Sequence, residues 1–141
     1  MFVEKTLCLT HEAVLAMLQA GVRAAEDIGQ PQCIAVVDAS GVTLGQIRMF
    51  GAKHLSLKSA LAKARTASSI RGASDAIPEA VGLYIATATD NSVTCLSGGL
   101  PIFIDGVCVG GIGVGSGSPD QDTAVAKAAL SAIGAVEANQ L

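Results

Sequence analysis

The stretch IFIDGVCVGGIGVGSGSPDQD, residues 102–122, decides the fold of this chain. The Asp105-Gly106 dipeptide lies between two apolar runs, which is the strongest short-range signal for an antiparallel β-hairpin. After the turn, glycine recurs at every second position, at Gly111, Gly113, Gly115 and Gly117. Because side chains alternate between the two faces of a strand, one face of this strand carries none. Something must lie flat against that face: a helix of the same chain, a neighbouring subunit or a flat ligand.

A glycine-rich segment between a strand and a helix is also where a phosphate-binding loop would lie. Three features argue against a nucleotide here. The strand belongs to an antiparallel hairpin, whereas dinucleotide-binding folds use parallel crossovers. The following helix begins with its own caps, Ser118 and Gln121, and its own negative charges, Asp120 and Asp122. No lysine follows the glycines, as a mononucleotide loop requires, so we expect no nucleotide cofactor.

The flanking sequence predicts helices that alternate with antiparallel strands. The predicted elements are a helix capped by Thr10 and ended by Gly29, a hairpin over residues 33–49 with one buried face, a helix over residues 55–71, a helical turn after Pro78, strands at 93–96, 102–104 and 107–114, and a helix from Ser118. The small side chains of the second helix permit close approach to a sheet or another helix. We therefore expect one α+β domain, residues 1–141, with helices on an antiparallel sheet.

The composition excludes some classes of partner. Nine Lys and Arg against twelve Asp and Glu give a net charge of −3, without a basic block, so nucleic acid is not an expected partner. Hydrophobic residues make up 50% of the chain and charged residues 15%. Such a surface predicts a homo-oligomer, with the contact on the final helix or on the face from Ala60 to Ser68. No apolar run approaches the about 20 residues of a membrane span, so no membrane partner is expected.

The first ten residues and the cysteines indicate where in the cell the protein is expected. The N-terminal stretch MFVEKTLCLT lacks the apolar run of a secretory signal, which predicts a cytoplasmic location. The four cysteines stand singly among apolar neighbours, without the spacing of a zinc site. We interpret them as reduced thiols in the core.

Two histidines are candidate iron ligands. His11 shares a helical face with Val14, Leu15 and Leu18, and the helix N-terminus disfavours its imidazolium form, leaving a neutral ring suited to iron. The alternative is a partly buried histidine bonded to backbone. His54 lies in a polar loop and is expected to be exposed, with a ligand or acid-base role as the less favoured alternative.

Lys63 and Arg65, on the second helix, could neutralise the carboxylates of a ligand, such as haem propionates or a small hydroxy acid. A solvated helix face explains them equally well. No catalytic triad, metal-pair spacing or paired carboxylates stand out, so whether the chain is an enzyme stays open.

Together these segments carry a family resemblance. VVDASG (36–41), LAKARTA (61–67), GGLPIFIDGVCVGGIGVG (98–115) and the acidic start of the last helix resemble the GlcG/HbpS-like family, which includes the C-terminal domain of PduO-type adenosyltransferases. The resemblance covers nearly the whole chain. It implies a profilin-like sheet of about five antiparallel strands flanked by helices, a homo-oligomer, and haem or another tetrapyrrole as ligand.

The resemblance also implies further ligand-binding residues among the positions that match the family's motifs, namely Lys63, Thr66, Gly98, Gly99, Pro101, Gly113 and Ser116. The family's Gly-Gly-x-Pro turn falls on Gly98, Gly99 and Pro101, its Lys-Ala-x-Thr motif on Lys63, Ala64 and Thr66, and its late acid on Asp122. The family reads Gly-Val-Ser-Gly after the last strand, whereas here Gly113 and Val114 are followed by Gly115 and then Ser116. If that serine positions a ligand, the displacement turns its hydroxyl in another direction.

Three functions remain as hypotheses. The first is a small cytoplasmic oligomer that binds haem or a related tetrapyrrole on the glycine-lined face, as an accessory to a catabolic pathway of the glycolate, glycerol or diol type. The second is an oligomeric scaffold without a ligand, whose glycine face is a subunit contact. The third is an enzyme that acts on a small carboxylate or aldehyde through Lys63, Arg65 or His54.

Overall fold

The computed structural model describes residues 1–135, which form four helices, four strands and one short turn of 3-10 helix at Ser74–Ala76. The elements are α1 His11–Asp27, β1 Cys33–Asp38, β2 Thr43–Arg48, α2 Ser56–Ile70, α3 Glu79–Ala88, β3 Gly99–Ile104, β4 Val107–Gly115 and α4 Pro119–Ala132. The strands make a sheet in the order β2-β1-β4-β3, and each neighbouring pair is antiparallel. The predicted α+β class, with helices on an antiparallel sheet, is confirmed.

The sheet has four strands in the described part of the chain, so the expectation of about five was too high by one. Residues 93–96 run as a connection instead of a strand. Neighbouring hydroxyls bond this backbone: the Thr94 N–H donates to Thr66 Oγ1 (3.0 Å), and the Leu96 carbonyl accepts from Ser74 Oγ (2.5 Å). Side chains thus take the place of a fifth strand.

Both predicted hairpins are present. Asp105 and Gly106 have φ values of 50° and 76°, as the central residues of a type I′ turn require, and Ile104 pairs with Val107 across it. In the first hairpin, Asp38 Oδ1 accepts hydrogen bonds from the backbone N–H groups of Ser40 (2.8 Å) and Val42 (3.0 Å). The turn-forming role predicted for the Asp38 carboxylate is therefore confirmed.

Apolar side chains pack on both faces of the sheet. Helices α1 and α4 cover one face, where Met17, Ile34, Ile112 and Leu130 are among the largest buried side chains. The other face is thinner and packs Cys33, Ala35 and Val37 against α2. Burial raises the pKa of the Cys33 thiol more than the nearby Arg48 charge lowers it. The core-thiol interpretation thus holds for Cys33, whereas Cys8 is exposed.

Helix α2 of the same chain occupies the glycine-lined face of β4. A Cβ atom built on Gly113 would overlap the Ala60 carbonyl oxygen and lie 2.6 Å from Ala64 N, and one built on Gly111 would overlap the Ala64 carbonyl oxygen. The hypotheses that place a flat ligand or a neighbouring subunit against this face are therefore wrong. The Ala60-to-Ser68 side of α2 is likewise buried within the chain and is not an oligomer contact.

Helix α1 at His11 and the edge strand β2 are more exposed to solvent than the sequence predicted. The buried positions of α1 are Val14, Met17, Gly21 and Ala25. The buried stripe is centred on Met17, so His11 lies on its flank and is exposed, not on an apolar side. Strand β2 is an edge strand, and Ile47, expected on a buried face, is 37% exposed.

Helix α3 extends the short helical turn predicted after Pro78 to ten residues. Its buried residue is Gly82, which lies against Cys95, and the large side chains of Leu83 and Tyr84 are 78% and 76% exposed. This leaves an apolar helix surface facing solvent. Within residues 1–135, no helix combines the length and apolar character needed to cross a bilayer.

Candidate functional site

Lys63 lies inside the protein, not on a solvated helix face. The residue is 4% exposed, and its Nζ donates to the Val114 carbonyl oxygen (2.8 Å) and to Asp122 Oδ2 (3.0 Å). Asp122 is equally buried, and its second oxygen accepts the Gly117 N–H (2.9 Å). The ammonium group is thus committed to neighbours in β4 and α4, and the interpretation of Lys63 as a solvated residue is wrong.

The Gly98-Gly99 turn packs directly against this ion pair. Gly98 has a φ of 115°, and a Cβ atom built there would lie 2.7 Å from the Val114 oxygen and 3.2 Å from Lys63 Nζ. A Cβ on Gly99 would overlap the Lys63 carbonyl oxygen, and the Gly99 N–H donates to Ser74 Oγ (2.9 Å). Both positions therefore require glycine because backbone and charged groups fill the space around them.

Three further predicted ligand residues also serve the interior. Thr66 is fully buried; its hydroxyl donates to the Ala62 carbonyl oxygen (2.7 Å) and accepts the Thr94 N–H (3.0 Å). Pro101 is buried within β3, and Gly113 lies beneath α2. Thr66 thus joins α2 to the connection at residues 93–96, Pro101 and Gly113 lie within the sheet, and these three residues present no surface to a ligand.

Ser116 follows the last residue of β4 and has a backbone conformation that is unusual for serine. Its φ is 92°, its Oγ accepts the Lys53 N–H (3.0 Å), and its carbonyl oxygen accepts Gln30 Nε2 (3.1 Å). The hydroxyl that the resemblance assigned to a ligand thus bonds the loop before α2.

Arg65, one residue beyond Ala64, lies at the surface in a cleft of its own. Its Nε donates to the Gly41 carbonyl oxygen (3.1 Å), which holds the guanidinium over the β1–β2 turn. The cleft is about 720 Å³ and includes Ser68 and Thr89 among its lining residues. This arrangement can receive an anionic group.

Both histidines are exposed, and they lie on different elements. His11 is the first residue of α1, after the N-cap Thr10, whose Oγ1 accepts the Ala13 N–H (3.3 Å). His54 precedes α2 in a turn, as expected. The described residues hold no cluster of three or more His, Cys, Asp or Glu side chains suited to a metal ion.

The N-terminus of α4 uses its own hydrogen-bond donors. The Gly117 N–H donates to Asp122 (2.9 Å), the Ser118 N–H to Gln121 Oε1 (2.9 Å) and the Gln121 N–H to Ser118 Oγ (3.2 Å). The predicted capping box is confirmed. These bonds engage three of the backbone N–H groups around the start of α4.

The role of Asp122 was missed, although the sequence carried a signal for it. From the sequence, the aspartate was assigned to the helix dipole and, through the family resemblance, to the family's late acid. It shares the buried side of α4 with Val125, Ala126 and Ala129, at spacings of three, four and seven. Lys63 shares the buried side of α2 with Ala60 and Ala67, at spacings of three and four. A charged residue on the buried side of each of two helices indicates an internal ion pair.

Comparison with known proteins places these features in a family. The family model described as haem degrading protein HbpS-like matches residues 9–131. The corrinoid adenosyltransferase PduO of Citrobacter freundii is 30% identical over 135 residues, which make up 92% of this chain and 40% of that protein. This chain therefore spans about two fifths of the length of that relative.

Two further proteins match over most of both chains. The uncharacterised 15.0 kDa protein in the dhaT–dhaS intergenic region of Citrobacter freundii is 35% identical over 127 residues, which cover 86% of this chain and 89% of that protein. The crystal structure of a PduOC–haem complex superimposes with a TM-score of 0.86 at 26% identity, covering 93% of this chain and 99% of the other. From the match over residues 9–131, the chain belongs to the HbpS-like family.

Proposed function

We propose that this protein binds haem or a related tetrapyrrole, with the His11 imidazole as the axial ligand of the iron. The observation that carries the proposal is the exposure of His11 at the start of α1. The imidazole makes no hydrogen bond or ion pair within residues 1–135, so its nitrogens are available to a metal. The iron of many haem proteins is held by one such histidine.

Exposed apolar side chains close to His11 in the sequence support the same proposal. Leu15, one helical turn further along α1, is 55% exposed, and Leu7 before the helix is 42% exposed. Phe2 and Val3 expose further apolar surface on the same N-terminal segment. A porphyrin ring needs apolar contacts on its faces, and exposed aliphatic and aromatic side chains supply them.

The comparisons support haem over other flat ligands. A close structural neighbour was crystallised as a complex with haem, and the family model is described as haem degrading. Since α2 fills the glycine-lined face, the proposed ligand lies at the α1 N-terminus instead.

The proposal includes a homo-oligomer. The chain exposes the apolar side chains of Val81, Leu83 and Tyr84 on α3, a surface that association would remove from water. With the Ala60-to-Ser68 side buried, α3 replaces it as the proposed contact.

In this proposal the protein is a cytoplasmic accessory to a catabolic pathway for diols, glycerol or glycolate. One relative is a corrinoid adenosyltransferase, and another is a protein in the dhaT–dhaS intergenic region. The proposal assigns no catalytic residue.

Hemin titration of the purified protein tests the proposal. We expect a shifted Soret band that saturates at a fixed ratio of haem to chain. His11→Ala should weaken binding by at least about tenfold, since it removes the iron ligand. His54→Ala is the matched control, because it removes another exposed imidazole, and it should bind hemin as the wild type does.

Three results would reject the proposal or its ligand assignment. A hemin spectrum that grows linearly without saturation indicates nonspecific partition to apolar surface. Equal binding by wild type and His11→Ala excludes the assigned ligand. Loss of the band in His54→Ala, with His11→Ala unaffected, transfers the site to the loop before α2.

A further inference from the structure

A cleft on the surface of the protein lies between three segments that are distant in sequence. The β1–β2 turn forms one wall, the C-terminal half of α2 forms the second, and the segment after α3 forms the third. Its volume of about 720 Å³ is in the range of small-molecule sites. We propose that this hydroxyl-lined cleft binds a small hydroxy carboxylate, whose carboxylate pairs with Arg65.

Arg65 is fixed in the orientation that such a ligand needs. Its Nε donates to the Gly41 carbonyl oxygen at 3.1 Å, and its Cγ lies 3.6 Å from where a Cβ atom of Gly41 would be. The turn therefore holds the stem and one nitrogen of the side chain. The two terminal nitrogens make no hydrogen bond within residues 1–135, so the planar end of the guanidinium is available for a bidentate pair with a carboxylate.

Hydroxyl groups line the rest of the cleft. Ser40, Thr43, Ser69 and Ser92 face it without a side-chain hydrogen bond in the described part of the chain. Ser68 donates its hydroxyl to the Asp38 carbonyl oxygen (2.8 Å), which leaves its oxygen as an acceptor. A ligand with several hydroxyls can exchange hydrogen bonds with this surface, whereas an apolar ligand would leave these groups unpaired.

The charge of the cleft favours a carboxylate monoanion. Arg65 carries the one charge among the residues that line the cleft. A phosphate dianion is usually held by several cations or by a helix N-terminus, and this cleft offers neither. A porphyrin is a poor match, because it would leave the serine and threonine hydroxyls among the lining residues unpaired. One carboxylate and a short chain of hydroxyls match what remains.

Calorimetric titration with D-gluconate tests this proposal. Gluconate has one carboxylate and five hydroxyls, and we expect saturable binding with one ligand per chain. D-Sorbitol is the matched ligand, because it keeps the hydroxyls and lacks the carboxylate. Sorbitol, and gluconate with Arg65→Met, should each bind roughly tenfold to hundredfold more weakly than gluconate with wild type.

Two further variants separate an effect on binding from an effect on folding. Arg23→Met removes an exposed arginine on α1, outside the cleft, and should bind gluconate as wild type does. Ser92→Ala removes one hydroxyl and leaves the Arg65–Gly41 bond intact, and it should weaken binding roughly twofold to tenfold. Thermal unfolding of each variant establishes that the fold is kept.

Four results would overturn the proposal. Two concern the ligand: gluconate does not bind, or sorbitol binds equally well. The other two are an unchanged gluconate affinity in Arg65→Met and tighter binding of inorganic phosphate than of gluconate. Displacement of gluconate by hemin would also overturn it, because the cleft would then hold a propionate. Hemin binding at His11 and gluconate binding at Arg65 are measured separately, so either proposal can fail while the other stands.

Discussion

The Lys63–Asp122 ion pair connects three elements of the fold through two side chains. The ammonium of α2 contacts the carboxylate of α4 at 3.0 Å and the carbonyl of Val114 in β4 at 2.8 Å. Both charges are almost fully removed from water, so each depends on the other for compensation. Lys63, which the family resemblance assigned to a ligand, thus joins α2 and α4 to strand β4.

Removal of either charge should therefore be costly. We expect Lys63→Met to lower the free energy of unfolding by about 3–5 kcal/mol, because the Asp122 carboxylate stays buried without its partner. Urea unfolding followed by circular dichroism measures the difference. The double variant Lys63→Met/Asp122→Leu should lose less than the sum of the single changes, since no unpaired charge remains.

Lys58→Met is the control for this prediction. Lys58 lies on the same helix and is exposed, so its loss should change the free energy of unfolding by no more than about 0.5 kcal/mol. If Lys63→Met were as stable as Lys58→Met, the pair would contribute nothing to the fold.

The sequence predicted the roles of some residues correctly and missed the roles of others. The Thr10, Ser118 and Asp38 roles were predicted correctly because capping and turn bonds join neighbours in sequence. The partners of Lys63 and Arg65 lie more than twenty residues away, so local spacing does not identify them. The hydroxyl-lined cleft was missed for the same reason, since its serines and threonines come from three separate segments.

The contact of α2 with β4 depends on the absence of side chains at the strand. Backbone atoms of Ala60 and Ala64 occupy the space that side chains would fill on Gly113 and Gly111. Backbone atoms cannot rotate away as a flexible side chain does, so an added carbon must displace the helix.

Gly113→Ala should accordingly destabilise the protein strongly. We expect a loss of about 3 kcal/mol or more, at the upper end of the range for overpacked cores, measured as a lower urea midpoint. Gly72→Ala is the matched control. Its new Cβ would be 3.8 Å from its nearest neighbour, Ile70, so this substitution should be neutral or stabilise by up to about 1 kcal/mol.

Equal stability of Gly113→Ala and wild type would mean that α2 does not lie flat on β4. If Gly113→Ala kept the wild-type urea midpoint but changed the sedimentation of the protein, the glycine-lined face would instead be a contact between subunits.

For single elements, the periodicity of the sequence predicted which side chains a strand or helix carries on each face. It did not identify the element that packs against that face. The glycine spacing correctly predicted a bare strand face, and Ala60, Ala64 and Ala67 supplied the small helix surface that fits it. Because periodicity describes one element at a time, the three possible occupants could not be separated. Residues 93–96 were wrongly assigned to a strand because hydroxyl bonds from Thr66 and Ser74 satisfy that backbone instead.

The molecule as a whole leaves apolar surface uncovered at α3. Val81, Leu83 and Tyr84 point to solvent on a helix whose buried residue is a glycine. Composition predicted such a surface, since a chain with 15% charged residues has few polar groups to cover it. Of the two contacts expected from the sequence, the Ala60-to-Ser68 side of α2 meets the sheet of its own chain, and the final helix stays a prediction.

Sedimentation at micromolar concentration tests association through α3. We expect the wild type to sediment as a dimer or larger species and Leu83→Lys to shift toward the monomer mass of 14.1 kDa, because a buried ammonium in the contact would lack a partner. Ile28→Lys, at an exposed apolar position beyond the end of α1, should keep the wild-type assembly.

A wild-type species at the monomer mass at all concentrations tested would exclude the assembly. Dissociation by Ile28→Lys, but not by Leu83→Lys, would move the contact from α3 to the α1 side of the sheet.

The order of strands in the sheet also governs when the chain can fold during its synthesis. Strand β1 pairs on one edge with β2, which the ribosome delivers next, but its other edge pairs with β4, beginning with Cys33 opposite Gly115. Helices α2 and α3 and strand β3 are all translated in between. The centre of the sheet therefore closes late and through distant contacts, which slows folding. Until then the nascent chain carries an open β1 edge and a valine-rich strand, the kind of surface that chaperones shield.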